Sequence, residues 1–267
     1  MMFDRAKFDA HFFKGNLLFH YTTTQVALEH ILFENRLRIS PRKNSRDPIE
    51  NSNHQYSFGT WGSGEKKPLS MDVRRNSEII LSSHIKKAKQ LSFCKNGDYE
   101  TYANYSLRPL DYFGCFKPRM WEQYGDNYSG VCLVFDREKL ELNKSHISGN
   151  IKYVGYNILD LNEYNIDLDR IIEIGEEKFI EESKSKVTKN LFNKHLDYSG
   201  ENEFRIMSFC DNQYDYIKEI KKSLFGILIS NLATEYAQQT LKKICEDLSI
   251  PLVCIDWSTS GIYLYER

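Results

Sequence analysis

The 267-residue sequence contains no C-x-x-C pair and no histidines at a zinc-ligand spacing. Its six cysteines, Cys94, Cys115, Cys132, Cys210, Cys245 and Cys254, are scattered, most of them among apolar neighbours such as VCLVF and LVCID. That excludes a disulfide framework and a structural zinc site, and a reduced compartment is expected. There is also no surplus of either charge: the formal net charge is -1. A global basic footprint for non-specific nucleic-acid binding is therefore absent, while a local basic groove stays open. No apolar run approaches the length of a bilayer span; Leu224–Ile229 is far too short, so no membrane partner is expected. The opening MMFDRAKFDAHFF has neither a signal-peptide core nor a cleavage site, which sets cytoplasmic localisation as the expectation. The chain likewise lacks a P-loop, G-x-G-x-x-G, H-E-x-x-H and G-x-S-x-G.

Hydrophobic residues make up 41% and aromatics 13%, enough to build a packed core and to exclude global disorder. The pattern organises around LLFHYTTT, residues 17–24. Leu17–Tyr21 reads as a buried strand, and Thr22–Thr24 offer N-caps for an amphipathic helix over Thr24–Asn35. His20 then stands at a strand end before a helix N-terminus, either as a ligand contact or as a satisfied core histidine. RLRIS (36–40) alternates like a strand, and 49–70 reads as a long loop carrying Trp61 as a hydrophobic anchor or a lid residue. A helix is expected over Arg74–Lys89, then strands at Gln90–Cys94 and at Gly130–Phe135, the latter the best central strand. Asn150–Val154 reads as a strand and 168–195 as one long charged helix with a solvated face. Strands follow at Glu201–Phe209, Leu224–Ile229, Pro251–Ile255 and Gly261–Tyr265, with a helix over Ala233–Leu248. The expected class is α+β, one domain over 1–267 with insertions at 49–112 and 156–199.

Three polar clusters interrupt apolar segments: His20–Tyr21–Thr22, Trp121–Tyr124, and Glu201–Glu203–Arg205. The last puts two carboxylates and an arginine on one strand face. Such a face is either a solvent-exposed edge or a cleft in which Arg205 orients one carboxylate while the other meets substrate.

Several of these stretches resemble a bacterial family catalogued as a domain of unknown function and related to AbiGi-like abortive-infection, phage-resistance proteins. The stretch LFHYTTTQVALEHILFENRLRIS is similar to the family's opening. RDPIE resembles its Asn-Asp-Pro-x-Glu, with Arg46 in place of the Asn. MWEQYGDNYSGVCLVF resembles its Met-Trp-x-x-Tyr signature, and ENEFRI its Glu-x-Glu-Tyr-Arg strand, with Phe204 in place of the Tyr. The His-x-Thr strand further resembles the first motif of ADP-ribosyltransferases, DarT-like toxins among them. The resemblance implies a central split β-sheet with flanking and inserted helices, and NAD as substrate. It implies that His20, supported by Thr22, holds the ribose, that Tyr21 is a further substrate- or cofactor-binding residue, and that Glu203, with Glu201 second, is catalytic together with His20. Trp121 or Tyr124 would pack on nicotinamide, while Arg205 and Asp47 complete the site.

Residues of these types suit the cleavage of a nicotinamide–ribose bond. A carboxylate stabilises the oxocarbenium character of that transition state. No metal is required. The resemblance thus implies an NAD-using transferase or NAD-hydrolysing effector in phage defence or toxin–antitoxin function. Its partners would be a nucleic-acid or protein acceptor and an antitoxin or defence-system component. Two alternatives remain: a non-catalytic ligand-sensing module of the same fold, with Arg205 buried against Glu201 or Glu203, and a metal-dependent nuclease using Asp47, Glu201 and Glu203. The transferase reading expects His20 and Glu203 across one cleft on adjacent central strands.

Overall fold

Strand β5 (Val131–Asp136) is buried at every residue, and the sheet extends from it on both sides. The computed structural model describes residues 5–13, 15–45, 47, 50, 57–59, 70–102, 104, 106, 109–155, 165–259 and 261–266. Trp61 and most of the 49–70 loop lie outside them.

β1 (Leu17–Thr22) lies antiparallel along β5 over its full length, and β12 (Leu224–Ser230) takes the other edge of β5. β13 (Leu252–Ser258) pairs parallel with β12, the helix Glu235–Leu248 making the crossover, and β14 (Gly261–Glu266) closes that side. On the opposite side, β4 (Ala88–Lys95) carries β10 (Glu203–Phe209) on one edge, and β6 (Ile147–Asn150) lies beyond β10. Among the described residues this is one ten-stranded mixed sheet flanked by several helices, so the chain is α+β. β4 is an integral strand of that sheet, although it falls inside the expected 49–112 insertion.

The second edge of β4 is shared between two strands. β1 pairs with it only at Leu18↔Lys95 and Phe19↔Cys94. β2 (Arg36–Pro41) pairs with it only at Ser40↔Gln90 and Pro41↔Lys89. Residues 91–93 between them have no strand partner on this edge among the described residues, and here the sheet opens. β11 (Asp215–Lys218) extends it beyond β2.

Both faces are covered. Leu18, Phe93, Leu133, Phe204 and Ile227 pack under the helix Glu235–Leu248 and the segment Ala27–Leu32. Phe8, Phe19, Tyr21, Trp121, Cys132 and Val253 form the second layer. At about 25 cal/mol per Å² of apolar area removed from water, these two layers are the fold's main favourable term.

Local departures from the expected pattern have identifiable causes. The helix after β1 begins as a three-residue α-turn, Thr24–Val26, and continues as a π-helix over Ala27–Leu32, with Phe33 N–H donating to Leu28 O at 3.1 Å. Thr23 closes its start by accepting from Val26 N, so this short element offers His20 no anion-binding N-terminus. The long helix expected over 168–195 is three elements. Gly175, at φ +83°, separates Arg170–Ile174 from Glu176–Asn190, and Asn193–His195 is a strand, β9. β9 runs parallel to β7 (Lys152–Val154), and this puts Lys194 beside β10. The expected strand at Asn150–Val154 divides into β6 and β7.

Candidate functional site

Where β1 and β2 part on β4, a cavity of about 580 Å³ opens, lined among others by His20, Ser92, Tyr124, Lys194, Glu201 and Glu203. β1 alternates, so Phe19 and Tyr21 go to the second layer while His20 follows Leu18 to the first. The His20 ring lies 5.5 Å from Phe93, and Nδ1 is 3.2 Å from the carbonyl of Ser92, an oxygen at the unpaired edge of β4. A carbonyl only accepts, so His20 carries its proton on Nδ1 and leaves Nε2 as an acceptor. Burial lowers the His20 pKa, outweighing the Ser92 carbonyl, and holds the ring neutral.

Glu203 reaches the cavity from the other face of the sheet, because it pairs across from Cys94 and shares the face of Arg205 and Ser92. His20 and Glu203 are therefore not on adjacent strands as expected: β4 lies between β1 and β10. Ser92 links them, its carbonyl meeting His20 and its hydroxyl donating to Glu203 Oε1 at 2.6 Å.

Arg205 is fully buried. Its Nε donates to Glu203 Oε1 at 2.7 Å, Nη1 to Leu191 O at 2.7 Å, and Nη2 to Glu50 Oε1. The solvent-exposed edge considered for this strand face is thereby overturned; every residue from Glu203 to Ser208 is buried. Lys194, also buried, donates to Glu201 Oε2 at 2.7 Å and to Glu203 Oε2 at 3.2 Å. The result is a continuous ionic chain, Glu50–Arg205–Glu203–Lys194–Glu201. Such a chain holds only because each charge is compensated and hydrogen-bonded.

Glu201 does not sit on the strand as its sequence alternation predicts. It ends the 3-10 segment Leu196–Glu201, and Asn202 turns left-handed at φ 46° before β10 begins. That turn, rather than the pleat, returns the Glu201 carboxylate to Lys194. Its second oxygen, Oε1, is buried without a hydrogen-bond partner, with Arg119 Nη2 3.9 Å away.

Burial raises the Glu201 pKa, and Lys194 offsets this only in part. For Glu50 burial also acts upward, but Arg205, Lys194, Ser45 and Gln90 together bring it down to about 2. Burial pulls Lys194 down, and Glu203, Glu201 and Glu50 outweigh it, so its pKa is raised. Arg205 is likewise raised against its burial by Glu203 and Glu50.

The remaining sequence candidates divide. Tyr124 lines the cavity, and burial raises its pKa. Thr22 lines it as well. Tyr21 lines it too, although its hydroxyl is committed to Gly114 O at 2.6 Å in the second layer. Trp121 is fully buried there, its Nε1 donating to Cys115 O at 2.7 Å and its ring edge-on to Tyr21, so it offers no face to the cavity. Asp47 is buried, its N–H donating to Ser45 Oγ, and it does not line the cavity. Among the described residues no three His, Cys, Asp or Glu side chains group as metal ligands would. Between Glu201 and Glu203 stands the Lys194 ammonium. No helix among the described residues is long and apolar enough to cross a membrane.

Sequence reasoning missed Glu50, Ser92 and Lys194. Glu50 is the last residue of RDPIE, so its signal was in the motif. Ser92 is the polar member of the apolar run LSFC. Lys194 had no signal inside what reads as a charged helix.

No curated protein and no solved structure matches the chain. Residues 120–206, which contain Tyr124, Lys194, Glu201, Glu203 and Arg205, match the model of a family described as a protein of unknown function, DUF2971.

Proposed function

We propose that the chain is an ADP-ribosyltransferase-like enzyme that uses NAD as substrate, passing its ADP-ribose to a macromolecule or to water, as an effector of phage defence or of a toxin–antitoxin pair. The observation that carries the reading is the convergence of His20, Tyr124, Glu201 and Glu203 on one cavity at the opening of a sheet. Its volume of about 580 Å³ falls in the range of roughly 300–1,000 Å³ typical of small-molecule sites. His20 Nε2 accepts a ribose hydroxyl, the Tyr124 ring supports the leaving group, and the carboxylates oppose the positive charge that grows on the ribose. Because Arg205, Lys194 and Ser92 fix Glu203 in advance, little reorganisation accompanies the transition state.

The test is nicotinamide release from NAD by the purified chain, alongside NAD titration by calorimetry. Glu203→Gln should lower turnover by about 10²–10³-fold while leaving affinity within a few fold, as loss of a transition-state interaction does. His20→Ala should weaken binding instead. No binding at about millimolar NAD sinks the proposal.

A second reading has one specific observation in its favour. Both Glu203 oxygens are occupied by Arg205, Ser92 and Lys194, which suits a non-catalytic sensing module. It predicts saturable NAD or nucleotide binding with no nicotinamide release from wild type.

A further inference from the structure

The charges of the chain as a whole nearly cancel, yet RLRISPRKN (36–44) carries four basic side chains and no acidic one. β2 pairs with β11 so that Arg36 stands across from Lys218 and Arg38 across from Tyr216. Leu37, Ile39 and Ile217 turn into the first core layer, and the basic residues and Tyr216 therefore share the opposite face. On that face each guanidinium lies over the tyrosine diagonally across the ladder. Arg36 is 4.1 Å from the centre of the Tyr216 ring and Arg38 is 4.7 Å from that of Tyr214. Cations and rings thus alternate, with about 7 Å between successive side chains on one strand face. Arg36, Arg38, Ser40 and Tyr216 also line the cavity, so the row runs along its wall.

The two arginines differ in what they hold. Arg36 gives both Nε and Nη2 to Glu34 Oε2 at 2.6 Å, so its charge is met and it holds the Tyr216 ring in place. Arg38 is exposed and has no carboxylate partner among the described residues, and the same is true of Lys218. The Tyr214 ring covers one face of the Arg38 guanidinium, while its N–H groups lie in the guanidinium plane and stay open to an anion.

We propose that this face binds a single-stranded nucleic acid, DNA or RNA, with phosphates on Arg38 and Lys218 and bases stacked along the tyrosine–guanidinium row, and that this strand is the acceptor that the cavity serves. It deepens the proposed function and rests on that reading only for what is done to the bound strand. A polyanion with a charge in every unit suits unpaired cations spaced along a strand. Aromatic planes between them suit bases, whose faces are open only when the strand is single. A duplex keeps its bases inside and would bring phosphates alone. An acidic peptide would leave its backbone N–H and C=O groups unpaired here, because the row lies on the face of the sheet and not along a strand edge.

The experiment is fluorescence anisotropy on the full chain without NAD, using labelled single-stranded DNA and RNA of mixed sequence and about 16 nucleotides. A blunt duplex of the same length and polyglutamate are the comparison probes. The surface predicts saturable binding of at least one single strand, about tenfold or more tighter than duplex or polyglutamate, and weaker as salt rises. The tighter of DNA and RNA names the source of the strand. Arg38→Gln should weaken binding about three- to tenfold and lower the slope of log affinity against log salt by about 0.7, the share of one phosphate. Tyr216→Leu should weaken it about tenfold and leave the slope unchanged, since stacking releases no counterions. Should Tyr216→Leu fail to fold, the exposed positions Arg38 and Lys218 decide the matter. No saturable binding of either strand, equal or tighter binding of duplex or polyglutamate, or an affinity and slope unchanged in the Arg38→Gln, Lys218→Gln double variant each overturns the proposal. Nicotinamide release without strand binding removes this surface and leaves the transferase reading, and strand binding without nicotinamide release does the reverse.

Discussion

At the scale of single residues, Arg205 ties the stability of the fold to the wall of the cavity. Its guanidinium makes three directed contacts in a fully buried position, to Glu203, Glu50 and Leu191 O. Arg205→Met would leave two carboxylates buried without their cation, and about 3–5 kcal/mol of stability should be lost in urea unfolding. Arg205→Lys should rescue little of this, because an ammonium cannot reproduce the fork that meets all three acceptors. On the proposed reading, His20 sets the pH dependence of ligand binding. Burial lowers its pKa, so the ring is neutral through neutral pH and Nε2 can accept. Ligand affinity should be flat around pH 7 and fall on acidification, since the proton that His20 gains goes to Nε2. An unchanged affinity in His20→Ala at neutral pH would remove His20 from the site. Glu50 and Asp47 illustrate what a motif can conceal. RDPIE was legible as a motif, but which of its two acids faces the site depends on the path of the chain, and Glu50 rather than Asp47 lines the cavity.

At the scale of elements, the strands were readable where one residue type dominates a short run. VCLVFD, LLFHYT and LFGILIS are strands because β-favouring apolar residues bounded by turn signals bury both faces. The elements that escaped are those set by partners far away in the chain. β9 is three residues long, forms because β7 lies beside it, and has no periodicity of its own to detect. The pairing of β4 with both β1 and β2 is equally invisible, although it creates the cavity. The signature MWEQYGDNYSG was legible as a block, and its geometry now explains Gly130, the second of its two glycines. After the helix Pro118–Gln123 the chain passes through three left-handed residues, Asp126, Asn127 and Tyr128, and Gly130 then abuts the end of β1. A Cβ at Gly130 would stand 2.4 Å from Thr22 O. Gly130→Ala must push β1 and the turn apart at the rim of the cavity, at about 1–3 kcal/mol, the usual cost of overpacking. Chemical denaturation would measure the loss, and weaker ligand binding should accompany it because Thr22 lines the cavity.

For the whole molecule, the ionic chain ties its stability to pH with two opposing signs. Glu50 titrates near 4.5 when unfolded and near 2 when folded, so its contribution is fully present above about pH 4.5. In that window the unfolded chain binds the proton first, and stability drains away as pH falls from about 4.5 toward 2. Glu201 runs the other way, since its folded pKa is raised above the unfolded value. Between that raised pKa and about 4.5, the folded chain binds the proton first, and acidification adds stability. The two effects meet near the ordinary carboxylate pKa, so the denaturation midpoint should pass through a maximum on the mildly acidic side of neutrality and fall steeply below it. Glu201→Gln should flatten the rise and leave the acid limb in place. Glu50→Gln should instead lower stability at neutral pH and shallow the acid limb, because the carboxylate that opposes Arg205 from the 45–50 segment is gone. A midpoint that rises monotonically from pH 4 to pH 8 in wild type would contradict the raised Glu201 pKa.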